Sequence, residues 1–215
     1  AGMSNQILEH KSKVTYYLAT DEVLNAVKKG GCWEGFYYHY NPDNPLLSGS
    51  YTYSLAHDGL ITWGFTNKRT ISVSFKYYFL KTNMDNYYNE AKRLANELRG
   101  KNDFESVKNV HDYIIERVEY DEREKDPNNT DIAGFRDNVT VCQGYSMATF
   151  SILNYMNIPC RIIIGDAGDE KEHGLHSWNI VKIDGKWYNY DATWDDLGEY
   201  GVYYKYFLKS NQDFP

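Results

Sequence analysis

Between His176 and Asp191 the chain alternates apolar and polar residues on either side of Asp184-Gly185. That pattern constrains the fold more than any other stretch. Alternation with a period of two predicts half-buried strands, and an Asp-Gly pair between them predicts a two-residue hairpin turn. Strands joined this way run antiparallel, so His176 at the start of the first lies near Asp191 at the end of the second. One face of such a hairpin must be covered. The preceding segment can do this: Cys142 to Asn157 repeats Tyr145, Ala148, Thr149, Ile152 and Met156 at helical spacing, and Pro159 ends it. Arg161 to Gly165 then reads as a further strand. A helix followed by antiparallel strands is an α+β plan.

Upstream, Asp85 to Arg99 places Tyr88, Ala91, Leu94, Ala95 and Leu98 on one helical face and stops at Gly100. A second helix follows, capped by Asp103, with an apolar stripe of Val107, Val110, Ile114 and Val118 and with Phe104 and His111 beside it. From Asp121 to Thr140 the periodicity disappears into a loop, of a length that in compact domains is either functional or a solvated excursion. Tyr203 to Leu208 reads as a last aromatic strand. The first hundred residues differ. Asp21 to Lys29 predicts a short helix, and Trp33–Tyr40, Ser50–Ala56, Leu60–Phe65 and Thr70–Leu80 predict strands of an antiparallel sheet. Asn41 to Pro45 separates the first two strands, and Asp58-Gly59 turns between the second and third. This predicts an N-terminal strand-rich α/β region over residues 1–100 and a core over 101–215.

A chain of 215 residues with three cysteines buries enough surface to fold without disulfides or metal staples, and an odd cysteine count leaves at least one free thiol. The net charge of −7 disfavours nucleic acid as a partner. It is uneven: residues 1–100 carry 11 Lys and Arg against 9 Asp and Glu, while residues 101–215 carry 12 against 21. No apolar run is long enough for a membrane span, and Ala1-Gly2-Met3-Ser4 opens no charged and apolar leader. The 21 tyrosines, 11 of them in the first hundred residues, suit half-buried strands or contact surfaces.

Chemistry concentrates at three residues. Cys142 opens a helix, where the positive dipole end favours thiolate and the unsatisfied N–H groups, its own included, can hold a developing oxyanion. Gly144 leaves space beside the sulfur for a substrate backbone. His176 is placed to take the thiol proton and return it to a leaving amine, and Asp191 to fix the imidazole tautomer. Trp178 and Trp194 flank them and shield their hydrogen bond from water. Cys142, His176 and Asp191, with His173 nearby, are also zinc-ligand types, although no CxxC pair or HExxH run accompanies them. Cys160, between Pro159 and an Ile-rich strand, reads as buried and inert, and Cys32 has no assigned role. Asp195 and Asp196 are placed to cap the following turn or to attract an amine.

In these residues the chain resembles the transglutaminase-like superfamily, in particular its bacterial and archaeal branch of papain-like thiol enzymes. The resemblance rests on Val141-Cys142-Gln143-Gly144-Tyr145, Ile158-Pro159-Cys160, His176-Ser177-Trp178-Asn179 and Trp187-Tyr188-Asn189-Tyr190-Asp191-Ala192-Thr193-Trp194-Asp195, with Val118-Glu119-Tyr120-Asp121 upstream. It covers roughly residues 100 to 210. Ser177 stands where the usual pattern has Ala. The resemblance implies a papain-like core with the nucleophile helix packed on an antiparallel sheet and a Cys142, His176, Asp191 triad working through an acyl-enzyme on amides. Gln143 and Gly144 support the nucleophile, and Tyr120 completes the oxyanion site. No cofactor or metal is implied. The expected partner is a peptide or protein substrate, cell-wall material included, met outside the cell or at its surface, with a cytoplasmic site left open. Hydrolysis is favoured because water needs no acceptor site. The alternatives are a glutamine-crosslinking transglutaminase and a noncatalytic surface or binding module.

Overall fold

The structure, a computed structural model, describes residues 2–9, 11–29, 62–77, 80–122, 134–135, 137–168 and 173–214. The chain divides into two compact units, Ala1–Lys81 and Thr82–Pro215. In the first, α1 (Gly2–Leu8) precedes β1 (Lys13–Tyr17), α2 (Asp21–Lys28), β2 (Thr62–Asn67) and β3 (Thr70–Ser74). Thr20 caps α2 by accepting from the Val23 N–H at 3.2 Å, and Asp21, Glu22 and Lys28 complement its dipole. The strands form an antiparallel sheet in the order β1-β3-β2. On β3 the alternation of the sequence becomes alternation of burial, with Ile71 and Val73 inside. The strand expected over Thr70–Leu80 stops at Ser74, and β1 was not foreseen. The expected strands Trp33–Tyr40 and Ser50–Ala56, the turn at Asp58-Gly59, the loop Asn41 to Pro45 and Cys32 lie outside the described residues.

The second unit begins within α3 (Lys81–Glu97). The reason is local: Met84, Tyr87, Ala91, Leu94 and Ala95 are buried along this helix, and the Tyr87 hydroxyl bonds Ser151 in the heart of the second unit. Tyr87, and not the neighbouring Tyr88 of the expected stripe, is the buried ring. Next comes α4 (Asp103–Arg117), whose cap is Asn102 and not Asp103: the Asn102 side chain accepts from the Glu105 N–H at 2.8 Å. Its stripe of Val107, Val110 and Ile114 is buried as the periodicity predicts, together with His111.

Two short strands, β4 (Glu119–Tyr120) and β5 (Val139–Thr140), pair in parallel. They span the segment read from sequence as a loop, of which residues 123–133 and 136 lie outside the description. After β5 the chain enters α5 (Cys142–Tyr155), where every residue from Gly144 to Leu153 is buried. The apolar stripe expected on one face is therefore a helix enclosed all round, packed against α4, β6 (Cys160–Gly168) and β7 (His173–Ile183). Truncating a fully enclosed side chain here, such as Phe150, costs about 3–5 kcal/mol.

β6, β7 and β8 (Lys186–Tyr190) form an antiparallel sheet with β7 in the middle. The turn between β7 and β8 has positive φ at both Asp184 (49°) and Gly185 (80°), the geometry that an Asp-Gly hairpin supplies. Tyr203 to Leu208, expected as a strand, forms none. Leu208 sits at φ 50°, which interrupts any extended run. The segment instead makes single links, with the Asp191 N–H donating to the Tyr206 carbonyl at 3.2 Å, and just after it Asn189 and Lys209 exchange backbone bonds of 2.8 Å.

Candidate active site

Three elements converge on the site. α5 starts at Cys142, which is half-buried, while β7 carries His176 and Asp191 follows directly on β8. His176 Nε2 donates to Asp191 Oδ2 at 2.7 Å, and the second carboxylate oxygen accepts from the backbone N–H groups of Thr193 (3.0 Å) and Trp194 (3.2 Å). Asp191 is 1% exposed, so those bonds stand in for the water it has lost. The Cys142 thiol lies close enough to the His176 ring to bias its protonation. With Nε2 engaged by Asp191, Nδ1 is the nitrogen left for the thiol. Burial pushes the imidazole toward neutrality, but Asp191 and Cys142 outweigh this and push its pKa up to about 9.

The surroundings fix the ring further. Trp194 stacks on His176 with centroids 4.5 Å apart and planes within 10°, and Trp178 lies nearly parallel at 6.1 Å. Trp178 is itself held, its indole N–H donating to Asn189 Oδ1 at 3.2 Å. Ser177, the departure from the usual Ala, bonds the hydroxyl of Ser146 on α5 at 2.6 Å, and Asn179 donates to the Ser146 carbonyl at 3.0 Å. The nucleophile helix and the histidine strand are thus bolted together one residue away from the imidazole.

Val141 caps α5 with no side-chain acceptor. No side-chain bond from the cap therefore competes for the N–H groups at this helix start. Gln143 is half-buried there. Tyr120 reaches the region through strand register: it pairs with Thr140, two residues before Cys142, and is 42% exposed. Gly144 has a different role from the one read in sequence. A Cβ at that position would lie 1.9 Å from Thr140 Oγ1, so the missing side chain makes room for Thr140 and leaves no space for a substrate backbone.

Asp195 and Asp196 separate in function. Asp196 Oδ1 accepts from the Gly198 N–H at 2.8 Å and caps the turn as expected, while Oδ2 accepts from the Tyr145 hydroxyl at 2.6 Å. Burial and that bond hold the Tyr145 hydroxyl protonated far above the ordinary phenol range. Asp195 instead accepts from the Tyr206 N–H at 2.9 Å and bonds His111 Nε2 at 3.1 Å, and at 0% exposed it cannot meet an amine. Neither His111 nor this contact was singled out from sequence as part of the site. Cys160 is fully enclosed, and burial raises its thiol pKa against the weaker pull of Asn179. Among the described residues no three His, Cys, Asp or Glu side chains group to hold a metal ion. The His173 side chain is outside the description.

Residues 92–192 match the profile of the transglutaminase-like superfamily. The fold is accordingly α+β with a transglutaminase-like core. No curated protein matches the sequence. Similar solved structures include a TGase, with 16% identity and a TM-score of 0.47 over 62% of this chain and 43% of that one. A Cytophaga hutchinsonii protein provisionally called a cysteine protease is 18% identical, with a TM-score of 0.45 over 65% of this chain and 58% of that one. The periplasmic domain of TgpA from Pseudomonas aeruginosa, bound to ethylmercury, is 19% identical, with a TM-score of 0.44 over 61% and 57%. The matched region spans about half the length of these structures.

Proposed function

We propose that the protein is a thiol enzyme that hydrolyses peptide or protein amides, with Cys142 as nucleophile, His176 as proton carrier and Asp191 as its orienting carboxylate. The observation that carries this reading is one imidazole bonded to a buried carboxylate, with its protonation biased by the thiol that opens the neighbouring helix. The sulfur attacks the amide carbonyl carbon and forms a C–S bond. The imidazolium gives its proton to the nitrogen as the C–N bond breaks, and the amine leaves. Water then attacks the thioester, giving a proton to His176 and releasing the acid and the Cys142 thiolate, which restores the starting pair. The Cys142 N–H at the start of α5, together with Tyr120, stabilises the oxyanion. Gln143 and Gly144 support the nucleophile, Gly144 by seating Thr140, and Trp178 and Trp194 keep water off the His176 bond.

A second reading has a specific observation in its favour. A cleft of about 550 Å³ beside Tyr120 is lined by Glu116, Glu119, Glu122, Asp196 and Glu199, with Arg117 the cationic side chain among them. A cationic amine is drawn to such a wall, and an amine in place of water would make the enzyme a transglutaminase. The two readings share the acyl-enzyme and differ in what resolves it. A glutamine or peptide amide incubated with a primary amine, with both products followed by mass at low and high salt, separates them. Free acid as the main product supports hydrolysis. Amide exchange that fades with salt rejects it for transfer, and an unchanged substrate with an unreactive Cys142 favours a noncatalytic module. An extracellular or surface site, acting on peptide or cell-wall material, belongs to the same proposal and rests on the resemblance. Among the described residues no helix is long and apolar enough to cross a membrane. Recovery from the cytoplasmic fraction alone would contradict that placement.

A further inference from the structure

The turn that presents Asp191 continues through Trp194 to Asp195, and its far end is tied down by a second histidine. His111, in the middle of α4, and Asp195 are both 0% exposed, with His111 Nε2 3.1 Å from Asp195 Oδ2. The other oxygen of Asp195 accepts from the Tyr206 N–H at 2.9 Å, and the Tyr206 carbonyl accepts from the Asp191 N–H at 3.2 Å. One peptide residue is thus gripped from both sides, by the Asp195 carboxylate and by the backbone of the residue that holds His176. The Tyr206 ring also meets the edge of Trp194 at 5.0 Å, and Trp194 stacks on His176.

A carboxylate taken wholly out of water needs its lone pairs satisfied, or its segment moves to where they can be. Here the side-chain donor is His111, fixed in place by rings: Phe207 at 4.8 Å, Tyr190 at 5.3 Å and Tyr204 stacked at 5.3 Å. The charged and titratable groups around it are Asp112, 3.4 Å from Nδ1, Lys108 paired to Asp112, and the Tyr204 hydroxyl bonded to Asp112. We propose that His111 is a positioning residue which, through Asp195 and Tyr206, sets Asp191 and Trp194 against the His176 ring. The proposal rests on the reading of Cys142, His176 and Asp191 as the reacting group.

The test titrates the His176 ring by NMR in the full chain carrying Cys142→Ala, alone and with His111→Phe or His111→Gln. The phenyl ring keeps the aromatic packing and loses the donor, whereas the glutamine amide restores a donor near the Nε2 position. If Asp191 and Trp194 loosen, the His176 midpoint falls by about one pH unit or more in His111→Phe and returns in His111→Gln. A role confined to packing lowers the melting temperature and leaves the midpoint where it was; that result in a folded His111→Phe overturns the proposal. Should His111→Phe fail to fold, Asp195→Asn attacks the same link from its other end, with the same two outcomes. Because no thiol takes part in this titration, an inert Cys142 in the parent chain would refute the enzyme reading without altering this result.

Discussion

Among the described residues of the second unit, two histidine–carboxylate pairs with both members buried invite comparison, and the difference between them decides where the proposed chemistry resides. His176–Asp191 sits at the mouth of α5 with His176 9% exposed and a thiol beside it. His111–Asp195 is sealed, both members at 0%, with aromatic rings around the imidazole in place of a nucleophile. The pairs lie within one continuous hydrogen-bonded segment, since Asp191 and Asp195 are four residues apart. A histidine bonded to an aspartate is thus no signature of reactivity. On the proposed reading, access and a neighbouring sulfur make one pair a proton carrier, and enclosure makes the other a rivet.

The comparison breaks hardest at the sulfur. Cys142→Ala is expected to abolish amide turnover while the circular dichroism spectrum and melting temperature stay those of the parent, since little volume is lost at a half-buried helix start. Retained turnover would overturn the triad. Asp191→Asn leaves the fold but removes the negative charge that keeps His176 protonated, and kcat/KM is expected to fall by about 10³-fold or more. The sealed pair responds in the other currency: His111→Ala strands a buried carboxylate and is expected to cost about 3–5 kcal/mol in denaturant unfolding. Equal stability losses from His111→Ala and His176→Ala would erase the distinction between the pairs.

The pH dependence sharpens it. His176 is raised from its ordinary 6.5 to about 9 in the folded chain. Its contribution to stability is therefore complete below pH 6.5 and is lost as the pH rises through about 9. Unfolding free energies at intervals from pH 6 to 10 should show that loss in the parent and a smaller one in Asp191→Asn. A loss of equal size in both would place the stabilising partner elsewhere. The smallest effect is expected at the other thiol: Cys160→Ala opens a small cavity worth about 1 kcal/mol and leaves turnover unchanged.

The open pair was legible in sequence because its geometry is local. A period-two pattern around Asp184-Gly185 brings His176 and Asp191 together by strand pairing alone, and the thiol announces itself by opening an apolar helix. The sealed pair gave no such sign. His111 and Asp195 are 84 residues apart, one in a helix stripe and the other in a turn, and only tertiary packing joins them. Gly144 was misread for the same reason, since the atom that fills its space belongs to Thr140 on β5, whose approach no local pattern encodes. The Asn102 cap was displaced by one residue because Asp103 and Asn102 are both good caps. Tyr203–Leu208 has strand composition, but its backbone groups serve Asp191 and Asp195 individually.

The central claim is that His176 activates Cys142, and the rate of iodoacetamide labelling at pH 7, resolved by cysteine through peptide mass, tests it directly. Cys142 is predicted to react about 100-fold or more faster than the enclosed Cys160, with most of that rate gone in a folded His176→Ala chain. A Cys142 rate that is the same with and without the imidazole would contradict the account.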